Sequence, residues 1–308
     1  ALNTAAYNAL NGRNGAVLVS NYKTGEILCM VSTPSFDPNS PPDLSSAAYE
    51  GVFINRRLGS TYTPGSVFKL VTLYAAIEKM PDLKEKTFDC NGSAVVGGES
   101  VQCTGVHGQQ TIEQALANSC NAAFSQISQE LGADAISEYA EKSGLCKSFD
   151  ISGVDTAAGS IEKAAEGTAA LSWMGIGQYN DLVSPIAMLR FVSAIANDGV
   201  AKEPVLLKNG YSAGTRLMKE GVSGEIREMM SYNVTYAYGA GQFPNLKICA
   251  KTGTAEVGDG RSHSWFVGFL NDEENPLAFT VVIEHGGGGL ANAGPVANAV
   301  LQAAVADQ

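Results

Sequence analysis

Two spacings of apolar residues alternate along the chain and divide it into three stretches. "GAVLVSNYKTGEILCMVS", residues 15–32, is two apolar runs around a polar, Gly-containing connection. That pattern predicts a β-hairpin with strands near 15–20 and 26–32. "STPSFDPNSPPD" then reads as a Pro- and Ser-rich loop. From Ser66 to Met80 the period changes: Val67, Leu70, Val71 and Tyr74 recur at i, i+3, i+4 and i+7, which predicts a helix. Pro64 and Gly65 precede it and Pro81 ends it. "TIEQALAN" opens with Thr111 and has Gln114 three residues on, the signature of a capping box. "CNAAFSQISQELG" continues as a second helix ending at Gly132. "SPIAMLRFVSAIANDG" has Ser184 as N-cap, Pro185 at the first helical position and Gly199 just past the end.

The last stretch returns to strand patterning. "LKICAKTGTAEV", "HSWFVGFL" and "LAFTVVIEHG" read as three strands, Gly286–Gly289 as a flexible turn, and the residues from about Gly294 as an Ala-rich helix. Strands at both chain ends enclose a mainly helical middle. The expectation is an α+β fold in a single domain, residues 1–308. Its sheet lobe comes from 1–60 and 235–308, with an inserted helical lobe over about 66–230.

Composition agrees with a packed chain: of 308 residues, 45% are hydrophobic and 17% charged, which excludes disorder. The net charge is −11 without basic runs, which argues against nucleic acid or an anionic membrane surface as partner. No apolar run is long enough to span a bilayer, and the best candidate, "PIAMLRFVSAIAN", carries Arg190. The chain opens at Ala1 without Met, so any export signal or anchor is expected upstream. Cys29 and Cys249 sit in apolar runs and read as core. Cys90 and Cys103 flank a Gly-rich segment that reads as a hairpin. They fit a disulfide or plain thiols; with His107 and Cys120 they could instead form a metal site, although the spacing matches no standard zinc pattern.

Serine-nucleophile signatures recur, and context must choose among them. S-x-x-K occurs at Ser20/Lys23, Ser66/Lys69 and Ser160/Lys163; K-T-G starts at Lys23 and Lys251; S-x-N occurs at Ser119/Asn121 and Ser231/Asn233. In a chain of this size roughly one S-x-x-K match arises by chance. A serine needs a base within hydrogen-bond reach, and a lysine can be that base only when neutral. Burial and nearby cations supply that condition. Ser66 and Lys69 share one face at the start of a predicted helix, where free N–H groups and the positive dipole end favour an oxyanion. Ser20 and Lys23 lie at a strand end and its turn, and "GSIEKAAEG" lacks an apolar face, so both pairs read as surface. Ser119 and Asn121 fall between two predicted helices, where side chains can project into a cleft; "SYNVTYAYGAG" around Ser231 and Asn233 reads as a polar loop. Lys251, Thr252, Gly253 and Thr254 follow an apolar run on a strand, with Lys251 and Gly253 on one side and the threonines on the other. Gly253 permits another backbone to approach closely. An edge strand there could bind an extended peptide by strand addition.

With these residues in place, the chain resembles the transpeptidase domain of penicillin-binding proteins, especially the class B group. The likeness includes "YTPGSVFK" around Ser66, "SCN" at 119–121, "GIGQ" at 175–178, "KTGTAE" at 251–256, "HSWFVGF" and a late "GPV", in family order over nearly the whole chain. "LND" after "VGF" departs from the family's more usual Pro-containing end of that strand. The resemblance implies a five-stranded antiparallel sheet flanked by helices. It implies Ser66 as acylated nucleophile, Lys69 as its base, Ser119 as proton shuttle and Asn121 as the holder of the substrate amide. Lys251 would tune the field, Thr252 and Thr254 would bind a terminal carboxylate, and the N–H groups of Ser66 and Thr254 would form the oxyanion hole. The implied substrate is a peptidoglycan stem peptide ending in D-Ala-D-Ala, with β-lactams acylating the same serine and no cofactor. A membrane glycosyltransferase partner and a place on the extracytoplasmic face of the bacterial membrane, through an upstream anchor, follow from the same resemblance. The rival readings are a D,D-carboxypeptidase or serine β-lactamase of the same fold, and a β-lactam sensor or non-catalytic scaffold. No water-activating Glu loop of the β-lactamase kind is recognisable, and every proposed catalytic position is intact.

Overall fold

The first hairpin forms where the alternation places it: β1 is Gly15–Asn21 and β2 is Ile27–Thr33. Asn21 closes the turn, its Oδ1 accepting the N–H groups of Lys23 and Thr24 at 2.9 and 3.1 Å. Lys23 stays exposed in this turn, while Ser20 is buried with its hydroxyl 3.4 Å from that of Ser193. The early K-T-G is therefore a turn and nothing more. The later strands are β3 (Ile248–Val257), β4 (Arg261–Leu270) and β5 (Leu277–Ile283). In this computed structural model, which describes residues 1–43, 45 and 50–306, they join in the order β3-β4-β5-β1-β2, every pair antiparallel. Residues 44, 46–49, 307 and 308, which fall inside the expected sheet segments 1–60 and 235–308, lie outside the described residues.

Both faces of the sheet are buried, so its strands read as continuous apolar runs rather than clean alternations. Ala16 and Leu18 of β1 face one core, and Val17 and Val19 face the other. On the first side lies α6 (Pro185–Ala196), packed against β1, β4 and β5 and buried at all twelve positions. Ser184 caps it as expected, its hydroxyl accepting the Ala187 N–H at 3.3 Å, with Pro185 at the first turn. Arg190 survives inside this helix because Glu203 meets its guanidinium at 2.5 Å and Phe149 lies beneath it. The second face is covered by α1 (Leu2–Leu10) and α8 (Gly289–Ala306). The last helix begins five residues earlier than its Ala-rich pattern indicates, and Pro295 lies inside it. Gly289 is thus a helix residue, packed against Gly253 and Trp265, rather than part of a flexible turn.

The middle of the chain holds α2 (Lys69–Lys79), α3 (Ile112–Ala117), α4 (Asn121–Lys142), α5 (Ala169–Ile176) and α7 (Glu220–Tyr232). Thr111 caps α3 with the full reciprocal box to Gln114. Gly132 breaks the helix as expected, with φ 79° and ψ 161°, but the chain re-enters helix at once and continues to Lys142. The segment Asn233–Tyr238, read from composition as a loop, is a π-helical extension of α7. Tyr238 packs against Phe266 and Tyr236 stacks on Tyr232 of α7, contacts that outweigh the polar neighbours.

One junction governs the placement of everything that follows. A 3₁₀ turn, Gly65–Val67, leads into α2 and lies directly against β3. A Cβ at Gly253 would sit 2.9 Å from Pro64 O and 3.0 Å from Val67 Cγ1. A Cβ at Gly65, whose φ is +54°, would sit 2.8 Å from Thr254 O. The two backbones touch because neither residue has a side chain. Trp265 adds a tether, its indole N–H donating to Thr63 O at 3.0 Å. Strand propensity alone would favour alanine over glycine at 253. We expect the opposite: Gly253→Ala lowers stability by about 1–3 kcal/mol in urea unfolding. Gly258→Ala, where nothing lies within 4 Å, is the control. Equal midpoints for the two variants would refute this close seat.

Candidate active site

Ser66 lies in the middle of the 3₁₀ turn, not in the first turn of an α-helix. The tighter winding eclipses residues three apart, so Ser66 and Lys69 still share a side. Lys69 is fully buried at the head of α2, with its Nζ over the Phe124 ring. The amine reaches across to the Ser119–Asn121 turn. It donates to Ser119 O at 2.6 Å, Asn121 Oδ1 at 2.7 Å and Ser119 Oγ at 3.3 Å. No hydrogen bond joins it to Ser66 among the described residues. Ser119 adopts φ 51°, a left-handed conformation costly for a serine, and these bonds hold it there. Asn121 completes the clamp by donating Nδ2 to Gln102 O at 2.8 Å.

Lys251 approaches the same hydroxyl from the sheet. Its Nζ lies 2.9 Å from Ser119 Oγ and 3.0 Å from Thr252 O. The structure therefore joins two buried amines through one serine. Neither amine has a carboxylate partner among the described residues. Burial lowers the pKa of Lys69 to about 7, opposed by Cys120 and Cys103 nearby. Burial, reinforced by the charge of Lys69, holds Lys251 well below its ordinary value.

Strand β3 is the sheet edge facing this cleft. Successive N–H groups on an edge alternate between the partner strand and the open side. The Thr252 N–H meets Tyr238 Oη at 3.1 Å, and the Glu256 N–H meets Gln178 Oε1 at 2.9 Å. Thr254, midway between them, turns its N–H to the same open side. Gly65, immediately before Ser66, seats against the Thr254 carbonyl, so the nucleophile turn lies beside this edge. Ser66, Ser119, Asn121, Thr252, Thr254 and Glu256 line a cleft of about 650 Å³. The Thr254 hydroxyl accepts the Gly289 N–H at the start of α8, at 3.2 Å.

The structure therefore brings Ser66, Lys69, Ser119, Asn121, Lys251, Thr252, Gly253 and Thr254 to one place. It leaves the competing signatures elsewhere. Ser160 and Lys163 are exposed, with Lys163 paired to Asp134 at 2.8 Å. Asn233 is buried and donates to Ala250 O at 2.9 Å. Two contributors escaped the sequence reading. Tyr238 lies in a stretch whose composition predicts a loop, and Gln178 ends the "GIGQ" match with no spacing that signals its bond to the Glu256 N–H. All six cysteines are free thiols. Cys90, Cys103, His107 and Cys120 nevertheless come together behind the S-C-N turn, their ligand atoms within 4.8 Å of one another.

Comparison with known proteins agrees with this geometry. The peptidoglycan D,D-transpeptidase PbpA of Mycobacterium tuberculosis is 28% identical over 94% of this chain and 67% of its own length. The stage V sporulation protein D of Bacillus subtilis is 30% identical over 92% of this chain and 47% of its own. Among solved structures, a ceftriaxone acyl-enzyme complex of penicillin-binding protein A from M. tuberculosis superposes with a TM-score of 0.89. It is 26% identical and covers 99% of this chain and 78% of that one. The model of the penicillin binding protein transpeptidase domain matches residues 15–302, and the chain belongs to that family.

Proposed function

We propose that this domain is a serine D,D-transpeptidase that cross-links peptidoglycan stem peptides, with Ser66 as the acylated residue. The observation that carries this reading is the pair of buried amines, Lys69 one turn after Ser66 and Lys251 on β3, that meet on Ser119 in the cleft that Ser66 also lines. Ser66 Oγ attacks the carbonyl of the penultimate D-Ala, and its proton passes to neutral Lys69. In the free enzyme Lys69 directs its bonds to Ser119 and Asn121. Substrate entry must therefore redirect one of them toward Ser66, as commonly happens when a Michaelis complex forms. The N–H groups of Ser66 and Thr254 receive the oxyanion. Ser119 then delivers a proton to the departing D-Ala amine, and Lys251 lowers the cost of that transfer. A second stem's amine attacks the acyl-serine and yields the cross-link.

Thr252 and Thr254 bind the terminal carboxylate, Gly253 keeps the strand seated on the nucleophile turn, and Asn121 orients the scissile amide. β-Lactams acylate the same serine by opening their strained amide. The stem peptide lies outside the cytoplasm, so the domain works on the extracytoplasmic face of the bacterial membrane, with a membrane glycosyltransferase as the partner supplying nascent strands. No helix among the described residues is long and apolar enough to cross a membrane.

Intact-mass measurement after a fluorescent penicillin should give one covalent adduct per chain, absent from Ser66→Ala. An adduct on the mutant would displace Ser66 from its role. Rapid nitrocefin turnover would point to a β-lactamase, and D-Ala release indifferent to an added amine acceptor would point to a carboxypeptidase.

The acylation rate should depend on the proton on Lys69. Above about pH 7 the amine is neutral and competent. Below that value it holds its proton, and the rate falls by about tenfold per pH unit. Stopped-flow acylation across this range tests the sign, and a flat profile excludes Lys69 as the base. Replacing it, Lys69→Ala, should cost about 10²–10⁴-fold in acylation.

A further inference from the structure

Four side chains outside the acylation machinery form a second constellation. Cys90 ends the short strand Phe88–Cys90, whose partner strand Gly108–Gln110 begins one residue after His107. Cys103 follows the hairpin Ser93–Val96/Glu99–Gln102, and its N–H donates to Gly92 O at 2.9 Å. Cys120 is the N-cap of α4 and the middle residue of the S-C-N turn. Three separate segments therefore converge on one point.

Their spacing is that of a coordination shell. Tetrahedral zinc, with Zn–S near 2.3 Å and Zn–N near 2.0–2.1 Å, places two sulfurs about 3.8 Å apart and a sulfur and nitrogen about 3.6 Å apart. Cys103 Sγ and Cys120 Sγ are 3.7 Å apart. His107 Nδ1 is 3.5 Å from Cys90 Sγ and 3.6 Å from Cys103 Sγ. Cys90 and Cys120 are buried, while Cys103 and His107 are partly so. The surroundings suit thiolates: the Asn121 N–H donates to Cys103 Sγ at 3.2 Å and the Ala123 N–H to Cys120 Sγ at 3.4 Å. The Cys90 thiol donates to Gly105 O at 3.4 Å, a proton that coordination would displace.

The geometry points to a structural Cys₃His zinc site, formed by Cys90, Cys103, His107 and Cys120, that fixes the wall of the active-site cleft. A divalent ion entering it displaces three thiol protons, leaving three thiolates and one neutral imidazole on the metal. Three soft sulfurs and one imidazole favour zinc over magnesium, calcium or manganese. Four protein ligands leave no open position, so the ion takes no substrate. Its consequence is positional. Cys120 lies between Ser119 and Asn121, and Cys103 follows Gln102, whose carbonyl holds the Asn121 amide. The metal would cross-link the hairpin to the S-C-N turn and hold Ser119 in its left-handed conformation. Only this effect on acylation rests on the function proposed above; metal binding itself does not.

The test is elemental analysis of the whole chain, purified under reducing conditions without chelators and equilibrated with zinc sulfate. About one zinc per chain is expected. Cobalt(II) substitution should give thiolate-to-metal charge transfer and the intense visible bands of a tetrahedral site. His107→Ala should weaken zinc retention by at least about tenfold, and Cys103→Ser should shift the cobalt spectrum. Ser66→Ala should bind zinc like the native chain, which separates failure of this proposal from failure of the nucleophile assignment. Removing zinc should slow penicillin acylation by about tenfold or more, with recovery on re-addition. A folded native chain that retains no zinc or cobalt overturns the site. A Cys103–Cys120 disulfide in the native protein, found by peptide mass mapping, also overturns it.

Discussion

A primary amine with no counter-ion, closed off from water, is the constraint around which this domain is organised. Lys69 is wholly buried, and its amine is satisfied by one carbonyl, one amide oxygen and one hydroxyl. All three acceptors belong to the Ser119–Asn121 turn. The same contacts therefore bind α2 to the start of α4 and depress the basicity of the lysine. A carboxylate at this position would give a stronger ion pair and a useless base. No carboxylate pairs with Lys69 among the described residues, and the fold bears the desolvation cost of a buried amine that the proposed base needs in its neutral form.

The second requirement is proximity without side chains. Glycines at 65 and 253 let the nucleophile turn rest on the sheet edge, which sets Ser66 beside the strand that carries Thr252 and Thr254. Edge strands are normally hazards. Here two of the three outward N–H groups around Thr254 are capped by Tyr238 and Gln178. The remaining donor is confined to the cleft, which limits indiscriminate strand pairing while leaving one position for a substrate carbonyl.

Much of this was legible in the sequence, and the reasons are particular. The hairpin at the N-terminus, the capped α3 and α6, and the break at Gly132 all follow from local rules that tertiary structure did not override. The choice among repeated S-x-x-K and K-T-G matches rested on local context: residues three apart share a side in a helix and not at a strand end, "GSIEKAAEG" lacks an apolar face, and the first K-T-G falls in a hairpin turn. Other features were illegible for equally physical reasons. The π-helical segment Asn233–Tyr238, polar in part and followed by Gly239 and Gly241, sits in a stretch with the composition of a loop, so Tyr238 could not be placed against Thr252. The 3₁₀ winding at Ser66 depends on contact with a strand nearly two hundred residues away. The cysteine constellation follows a C-x12-C-x3-H-x12-C spacing, which matches no familiar zinc pattern because its ligands come from hairpin ends and a helix cap rather than one compact loop.

The strand order has a temporal consequence. β1 pairs with β5 on one side and β2 on the other, so this hairpin lacks its second neighbour until Leu277–Ile283 has been made. Such high contact order slows assembly and leaves an apolar ribbon exposed to chaperones or to misassociation meanwhile. It also ties the site to long-range assembly: the threonine-bearing edge at 251–254 follows the Ser66 turn by nearly two hundred residues, so the two halves of the cleft meet only once that whole stretch has been made.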